Sequence, residues 1–284
     1  MWLPMKTLHL GLVGSGLQHS RMPALQEYLS KLAGISIDYQ LVDSQLMENF
    51  NPLEFVAWAS AAGYVGLNIT HPYKQLVASL ATRPGKAGHE KIGSYNTLRF
   101  EGDDILGTNT DYSGFIRAYE SGRNESLPGR VYIAGAGGVG RAVAMALGQL
   151  GCQEILVYDQ NNVQSTSLVQ GLIQQGIQAS VVSEKDVRES IKSADGLVNC
   201  TQMGMHGHPG SAIDPELIGA QQWAFDAVYT PLETLFLTTC REQGLDCLTG
   251  FDLWINQGLD AFTVFTGKEL QLEETFFNSV LGWF

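Results

Sequence analysis

The stretch Arg130-Val131-Tyr132-Ile133-Ala134-Gly135-Ala136-Gly137-Gly138-Val139-Gly140 decides the fold. Val131–Ala134 is a short apolar run that predicts a buried strand, and Gly138–Leu150 carries the apolar spacing of a helix. A G-x-G-x-x-G pattern after a strand and before a helix is the fingerprint of a dinucleotide-binding unit. Gly135 permits the tight turn, Gly137 lets a pyrophosphate approach the backbone, and Gly140 lets helix and strand pack closely. Gly138 starts the helix, whose N–H groups and dipole favour the negative charge of phosphates.

Working outward, the next strand, Ile155–Tyr158, ends at Asp159, 24 residues after Gly135. An acid about 20 residues beyond the fingerprint binds the ribose hydroxyls of such a cofactor. Its carboxylate accepts from a 2′-hydroxyl and repels a 2′-phosphate, and Gln160-Asn161-Asn162 supplies no arginine to hold one. NAD is therefore expected in preference to NADP.

Strands and helices alternate on both sides of this unit. Leu8–Val13, Gln40–Asp43 and Tyr64–Ile69 read as buried strands, separated by helices over Pro23–Leu32 and Pro52–Ala62, each opened by a proline. Downstream, Val163–Gln175, Ser180–Val182, Val187–Ile191, Gly196–Asn199 and Ala224–Asp226 continue the rhythm, followed by a helix over Leu232–Gln243 and a strand at Asp246–Leu248. Such alternation implies parallel sheets with right-handed crossovers. Asp252–Thr266 and Glu269–Leu281 then read as helices with no further strand. The expected fold is α/β in two domains. Residues 1–111 with helices 251–284 form one, and 112–250 form a Rossmann-type nucleotide-binding domain. The chain crosses near Asp111, ahead of a helix over Tyr112–Glu120 and the polar stretch Ser121–Gly129, and returns near Gly250.

Composition narrows the function classes. The 284 residues are 44% hydrophobic and 16% charged, enough to bury full cores, and the net charge of −12 would repel a nucleic-acid backbone. Cys152, Cys200, Cys240 and Cys247 lie on unrelated elements without C-x-x-C spacing, so they read as reduced, mostly packed thiols. His206-Gly207-His208 lacks a nearby third ligand and reads as a polar loop; no metal is expected. Met1-Trp2-Leu3-Pro4-Met5-Lys6 lacks the pattern of a signal peptide, and no apolar run reaches about 18 residues. A soluble, cytoplasmic protein is expected. The aromatic tail Phe276-Phe277…Trp283-Phe284 reads as terminal-helix packing.

The chemistry-bearing residues cluster in Asn68-Ile69-Thr70-His71-Pro72-Tyr73-Lys74 and Asn109-Thr110-Asp111. Open α/β sheets place ligands at the C-terminal ends of their strands, and Asn68 and Thr70 share one strand face. These segments, together with Tyr95-Asn96-Thr97, the glycine turn, and Gly250 with Gln257, resemble in order and spacing the motifs of shikimate and quinate dehydrogenases. Gly14-Ser15-Gly16-Leu17-Gln18-His19-Ser20-Arg21-Met22-Pro23 resembles that family's carboxylate-binding loop. The resemblance spans nearly the whole chain and is nearest the NAD-dependent quinate/shikimate branch.

It implies reversible, NAD-dependent oxidation of a ring hydroxyl of shikimate or quinate to the 3-dehydro compound, in a cleft between the domains, and a place in the shikimate pathway. Lys74 and Asp111 would be the catalytic pair. Ser20, Asn68, Thr70, Asn96, Tyr229 and Gln257 would bind the substrate, and Thr201, Met203 and Gly250 would line the nicotinamide pocket. A lysine can carry the hydroxyl proton where its surroundings allow, and a neighbouring carboxylate would orient lysine and hydroxyl. The partner implied is a small hydroxylated cyclic carboxylate, with the protein a monomer or homodimer. Three positions depart from the pattern: Met22 stands where a second hydroxyl residue is usual, Thr249 replaces an aspartate, and Leu253 replaces a methionine, with Trp254 beside them narrowing the pocket. Met22 keeps open a modified substrate such as an aminoshikimate; a catalytically weak NAD-binding sensor is the other alternative.

Overall fold

A computed structural model describes residues 7–284; Met1–Lys6, on which the leader expectation rests, lies outside the described residues. Contacts divide the chain into two compact units, one of residues up to Thr110 with Gly258–Val280, the other of Asp111–Gln257 with Leu281–Phe284.

In the first unit, β1 (Leu8–Gly14), α1 (Met22–Ala33), β2 (Ile37–Asp43), α2 (Pro52–Ala61) and β3 (Gly66–Ile69) alternate as the sequence predicts. Strand β1 pairs in parallel with both β2 and β3. Beyond β3 the expectation of a parallel sheet fails. Strands β4 (Arg83–Pro84), β5 (Thr97–Glu101) and β6 (Asp104–Thr108) complete the order β2-β1-β3-β5-β6-β4, with β5 antiparallel to β3 and to β6. Glu101 pairs with Asp104 across a two-residue turn in which Gly102 takes φ 61, a conformation open to glycine. The Gly-Asp pair between two β-forming runs was the available signal.

The second unit contains α3 (Thr110–Arg123) from its second residue onward, β7 (Arg130–Ala134), α4 (Gly138–Gln149), β8 (Glu154–Tyr158), α5 (Asn162–Gln174), β9 (Ala179–Val181), α6 (Val187–Lys192), β10 (Gly196–Asn199), β11 (Trp223–Asp226), α7 (Leu235–Glu242) and β12 (Asp246–Leu248). Its sheet is parallel throughout, in the order β12-β11-β10-β7-β8-β9. Strand order reverses at β7, so the glycine turn leaves the sheet at its switch point, where doubly wound folds bind ligands. Val131, Ile133, Ile155, Val157 and Val198 form one face of the core with Val143 and Leu147 of α4.

The helix α8 (Gly250–Thr266) is itself divided between the units. Leu253 joins the core of the second unit. Gly258 lies against Leu25 and Met22 of α1, close enough that an added Cβ would come within 2.5 Å of Leu25. No change of composition marks a division inside one helix, which is why the sequence puts the return at Gly250. The last helix, α9 (Glu274–Leu281), starts later than the predicted Glu269. Gly267, left-handed at φ 71, closes α8, and helix resumes only after Glu273 accepts from the Phe276 N–H. The tail packs as expected: Phe276 stacks on Tyr28 at 5.4 Å, and Phe284 meets Trp254 edge-on at 5.1 Å.

Candidate active site

At the C-terminal end of β3, Asn68 is 4% exposed and held in place by hydrogen bonds. It accepts from the Tyr39 hydroxyl at 2.7 Å and donates to Thr97 Oγ1 at 3.1 Å. Thr97 donates to Asn96 Oδ1, which also accepts from the Thr110 N–H at 2.7 Å, and Asn96 Nδ2 donates back to Thr110 Oγ1 at 2.9 Å. The result is a buried chain, Tyr39–Asn68–Thr97–Asn96–Thr110, in which each amide's orientation is dictated by its neighbours. Burial pushes the Tyr39 phenol well above its ordinary value, keeping it a donor.

Thr70 and the Lys74 segment follow directly from this end of β3. The Thr70 methyl lies where a Cβ on Gly14 would stand, and Ser15 N–H donates to His71 O, so the β1 loop and the Lys74 segment are laid together. Lys74, half-buried, accepts from the Tyr95 N–H through its carbonyl. His71 is exposed; partial desolvation first and the Lys74 charge second lower its pKa.

Two supports here were missed by sequence reasoning. Asp43, ending β2, accepts from the backbone N–H groups of Gly16, Leu17 and Gln45 at 2.7–3.0 Å. Burial alone would raise its pKa, but these three donors outweigh it and hold the carboxyl below its usual value. Asp43 thereby sets the loop that carries Ser20. His89, 4% exposed, accepts from the Asn109 N–H at Nδ1, and burial, then the Lys86 charge, brings its pKa down to about 4. A neutral imidazole thus fixes Asn109, whose side chain donates to Ser94 O at 2.9 Å. Met22 is 5% exposed and packs between Gln26 and Gly258, its sulfur 3.5 Å from Gln26 Nε2. Its side chain is core, and Ser20 accepts the Met22 N–H.

In the second unit the glycines divide their work. Gly135 takes φ 101 with its Cβ position 2.8 Å from Cys200 O. Gly140 has its Cβ position 2.1 Å from Gly135 O. A Cβ on Gly137 would meet nothing within 4 Å, and no side chain caps α4, so the space above this turn fits a pyrophosphate. Asp159 stands at the rim, accepting from Ala136 N–H at 2.7 Å and Asn161 N–H at 2.8 Å.

Asp111 lies in the first turn of α3, 5% exposed, and belongs to the second unit while Lys74 belongs to the first. Tyr229 follows β11; burial first, then the charge of Asp111, raise its phenol pKa. Gln257 abuts Gly114, one turn beyond Asp111, where a Cβ would come within 2.8 Å of its N atom. Trp254 is 4% exposed behind Tyr229, in a cluster with Phe251 and Phe284, so it backs that residue rather than narrowing an open space. Leu253 is core, and Thr249 caps α8 by exchanging hydrogen bonds with Asp252. Thr201 and the exposed Met203 follow β10. A Cβ on Gly250 would come within 2.5 Å of Val228 O. Cys240 and Cys247, read from sequence as on unrelated elements, influence each other: their mutual interaction raises the Cys240 thiol pKa and lowers that of Cys247. Among the described residues no helix is long and apolar enough to cross a membrane.

Fold and site together define a two-unit α/β protein with a Rossmann-type second unit. Residues 12–98 match the shikimate dehydrogenase substrate binding domain. The chain is 37% identical over 278 residues to the quinate/shikimate dehydrogenase (NAD(+)) of Corynebacterium glutamicum (strain R), covering 95% of this chain and 98% of that protein. It is also 37% identical to the shikimate dehydrogenase (NADP(+)) of Streptomyces avermitilis, over 92% of this chain and 90% of that one. The structure of quinate dehydrogenase from Corynebacterium glutamicum in complex with NAD superposes with a TM-score of 0.88, at 35% identity, over 97% of this chain and 99% of that one. The chain belongs to the shikimate/quinate dehydrogenase family.

Proposed function

We propose that this protein is an NAD-dependent oxidoreductase that reversibly oxidises a ring hydroxyl of shikimate or quinate to the 3-dehydro compound. What carries the reading is an open glycine turn with a carboxylate at its rim, in a chain similar along its whole length to quinate/shikimate dehydrogenases. The Corynebacterium glutamicum relative is an NAD(+) enzyme and the superposed quinate dehydrogenase structure is in complex with NAD, which supports NAD here. Asp159 suits that cofactor: it accepts from ribose hydroxyls and repels a 2′-phosphate.

NAD, held by the glycine turn and Asp159, would supply the acceptor for the hydride of the ring carbon. Lys74 takes the hydroxyl proton, and Asp111 orients lysine and hydroxyl as its partner in catalysis. Ser20 holds the substrate carboxylate. Asn68, Thr70, Asn96, Tyr229 and Gln257 hydrogen-bond the ring, while Gly135, Gly137, Gly138 and Gly140 receive the pyrophosphate and Thr201, Met203 and Gly250 line the nicotinamide pocket. The enzyme works as a soluble cytoplasmic protein, monomeric or homodimeric. A second substrate, a modified ring such as an aminoshikimate, is favoured by one observation: with Met22 turned into the core, Ser20 is the loop's single hydroxyl at that end.

The test is NADH formation by the purified protein with quinate and shikimate in turn, repeated with NADP. NAD-linked turnover of either acid is expected, with Asp159→Ala narrowing the NAD/NADP ratio about tenfold, the worth of one charge-assisted hydrogen bond. An aminoshikimate outperforming both acids would replace the substrate, and an unchanged ratio in the variant would remove Asp159 from its role.

A further inference from the structure

Asp226 ends β11 with no exposed surface, and Asn199 ends the neighbouring β10 equally buried. A carboxylate so placed persists only if donors surround it. Three do: Asn199 Nδ2 at 2.9 Å, Val228 N–H at 3.0 Å and Thr234 Oγ1 at 2.6 Å. Asn199 passes the constraint on. Its Nδ2 also donates to Met203 O at 3.1 Å, while its Oδ1 accepts from Thr201 N–H at 3.0 Å and Thr201 Oγ1 at 2.7 Å. Thr201 Oγ1 in turn accepts from Met203 N–H at 3.1 Å, and Ala227 N–H donates to Asn199 O at 2.8 Å. One buried carboxylate therefore holds two chain segments: 201–203 through Asn199, and 227–228, against which Gly250 lies.

An asparagine at 226 has the carboxylate's shape but neither its charge nor its second acceptor oxygen. Its Oδ1 still accepts from Asn199 and Val228, while its NH2 meets the Thr234 hydroxyl, which must turn from donor to acceptor. The bracket is then held by neutral hydrogen bonds in place of charge-assisted ones.

We infer that Asp226, acting through Asn199, is the positioning residue that fixes the Thr201–Met203 turn where the reacting end of the cofactor binds. The inference rests on the proposed reading of Thr201, Met203 and Gly250 as the nicotinamide pocket. The role is one of placement: Asp226 reaches neither solvent nor cofactor, and what it controls is the contact made by residues two steps away. Asp159 is outside its bracket, and the glycine turn meets it only by packing, Gly135 lying against Cys200 and Thr201, so the adenosine and pyrophosphate contacts depend on it less than the nicotinamide contacts do.

The experiment compares NADH with ADP-ribose, which keeps adenosine, pyrophosphate and ribose but lacks the nicotinamide. Dissociation constants are measured by fluorescence and calorimetry for the wild type and for Asp226→Asn. The expected result is NADH binding weakened roughly tenfold, as for one lost charge-assisted hydrogen bond, with ADP-ribose unchanged within about twofold. Thr234→Val keeps the side chain's shape but removes the donor to Asp226 and the cap on Leu237 N–H, and Thr234→Ser retains both. The valine variant is expected to repeat the NADH-selective loss and the serine variant to restore wild-type binding, which decides the matter if Asp226→Asn does not fold. Equal weakening of both ligands, or of neither, overturns the inference. A wild type that binds NADH no more tightly than ADP-ribose overturns it by removing the nicotinamide pocket. An NADH-selective loss in a protein that turns over no ring acid supports it while sinking the proposed substrate.

Discussion

The two units prepare their ligand-facing strand ends by opposite means. In the first, side chains are committed to one another: Tyr39, Asn68, Thr97, Asn96 and Thr110 form a buried chain, with Asp43 and the neutral His89 bracing the loops around it. In the second, the glycine turn offers bare backbone beside Gly137, and the bracing is a buried carboxylate, Asp226. A side-chain site is rigid because its polar groups satisfy each other; a backbone site is rigid because only one conformation packs. The first should respond to loss of single hydrogen bonds, the second to added volume.

The largest expected effect tests whether the first unit's rigid end serves chemistry. Lys74→Met should lower kcat about 10²–10⁴-fold, the range for one general acid–base group, while NADH affinity stays within about twofold. Near-normal turnover would leave the network as scaffold without a reactive group.

Next comes a titration that separates the two braces. His89 has a folded pKa of about 4 against 6.5 unfolded, so the stability it contributes is complete above pH 6.5. As pH falls from 6.5 to 4 the unfolded chain takes up a proton that the folded chain refuses, removing about 3 kcal/mol. Asp226 runs the other way. Raised from 3.8 to about 6 by burial against the lowering effect of its three donors, it keeps a proton that the unfolded chain has lost, so stability falls as pH rises from 3.8 to 6, again by about 3 kcal/mol. The two contributions oppose each other between pH 4 and 6. In urea unfolding across that window, His89→Asn, which keeps an acceptor for Asn109, should make the protein gain stability on acidification relative to wild type. Asp226→Asn should make it lose stability. Three parallel pH curves would show that neither brace is linked to protons.

The contrast also explains what the sequence could disclose. The glycine turn was legible because its three glycines fall within six positions, two of them, Gly135 and Gly140, where a side chain would strike backbone. Asn68, Lys74, Asn96 and Asp111 were reached through resemblance, and the polar character of their strand ends agreed. Asp43, His89, Tyr39 and Asp226 went unread because each braces a segment 20–29 residues away, and nothing local distinguishes a bracing carboxylate from a surface one. Met22 was read by its missing hydroxyl, and only packing against Gly258 shows where its side chain goes instead.

Within the second unit, two glycines give a volume test. Gly140→Ala sets a methyl 2.1 Å from Gly135 O, a backbone atom, and should destabilise by about 1–3 kcal/mol in urea unfolding. Gly137→Ala sets one in open space at φ −72, so stability should hold within about 0.5 kcal/mol while NADH binding weakens at least about tenfold. If the two variants lose stability alike, Gly137 is a packing glycine and the cradle is misassigned.

The smallest effect bears on whether the first unit's network is private to it. Tyr39→Phe deletes the hydroxyl that donates to Asn68 Oδ1 at 2.7 Å and changes no buried volume beyond one oxygen. Because the phenol holds its proton throughout the working range, the bond is lost without any change of charge. Asn68 keeps its bond to Thr97, so its amide is loosened rather than released. A lone buried acceptor of this kind is worth about 1–2 kcal/mol, and half of that reaching the substrate would raise KM for the ring acid about threefold. NADH affinity should not move, since Asn68 is held by Tyr39 and Thr97 and the glycine turn is held by Asp159. A parallel loss of NADH affinity would mean that the side-chain network also shapes the backbone site, and that the two means of preparation are one.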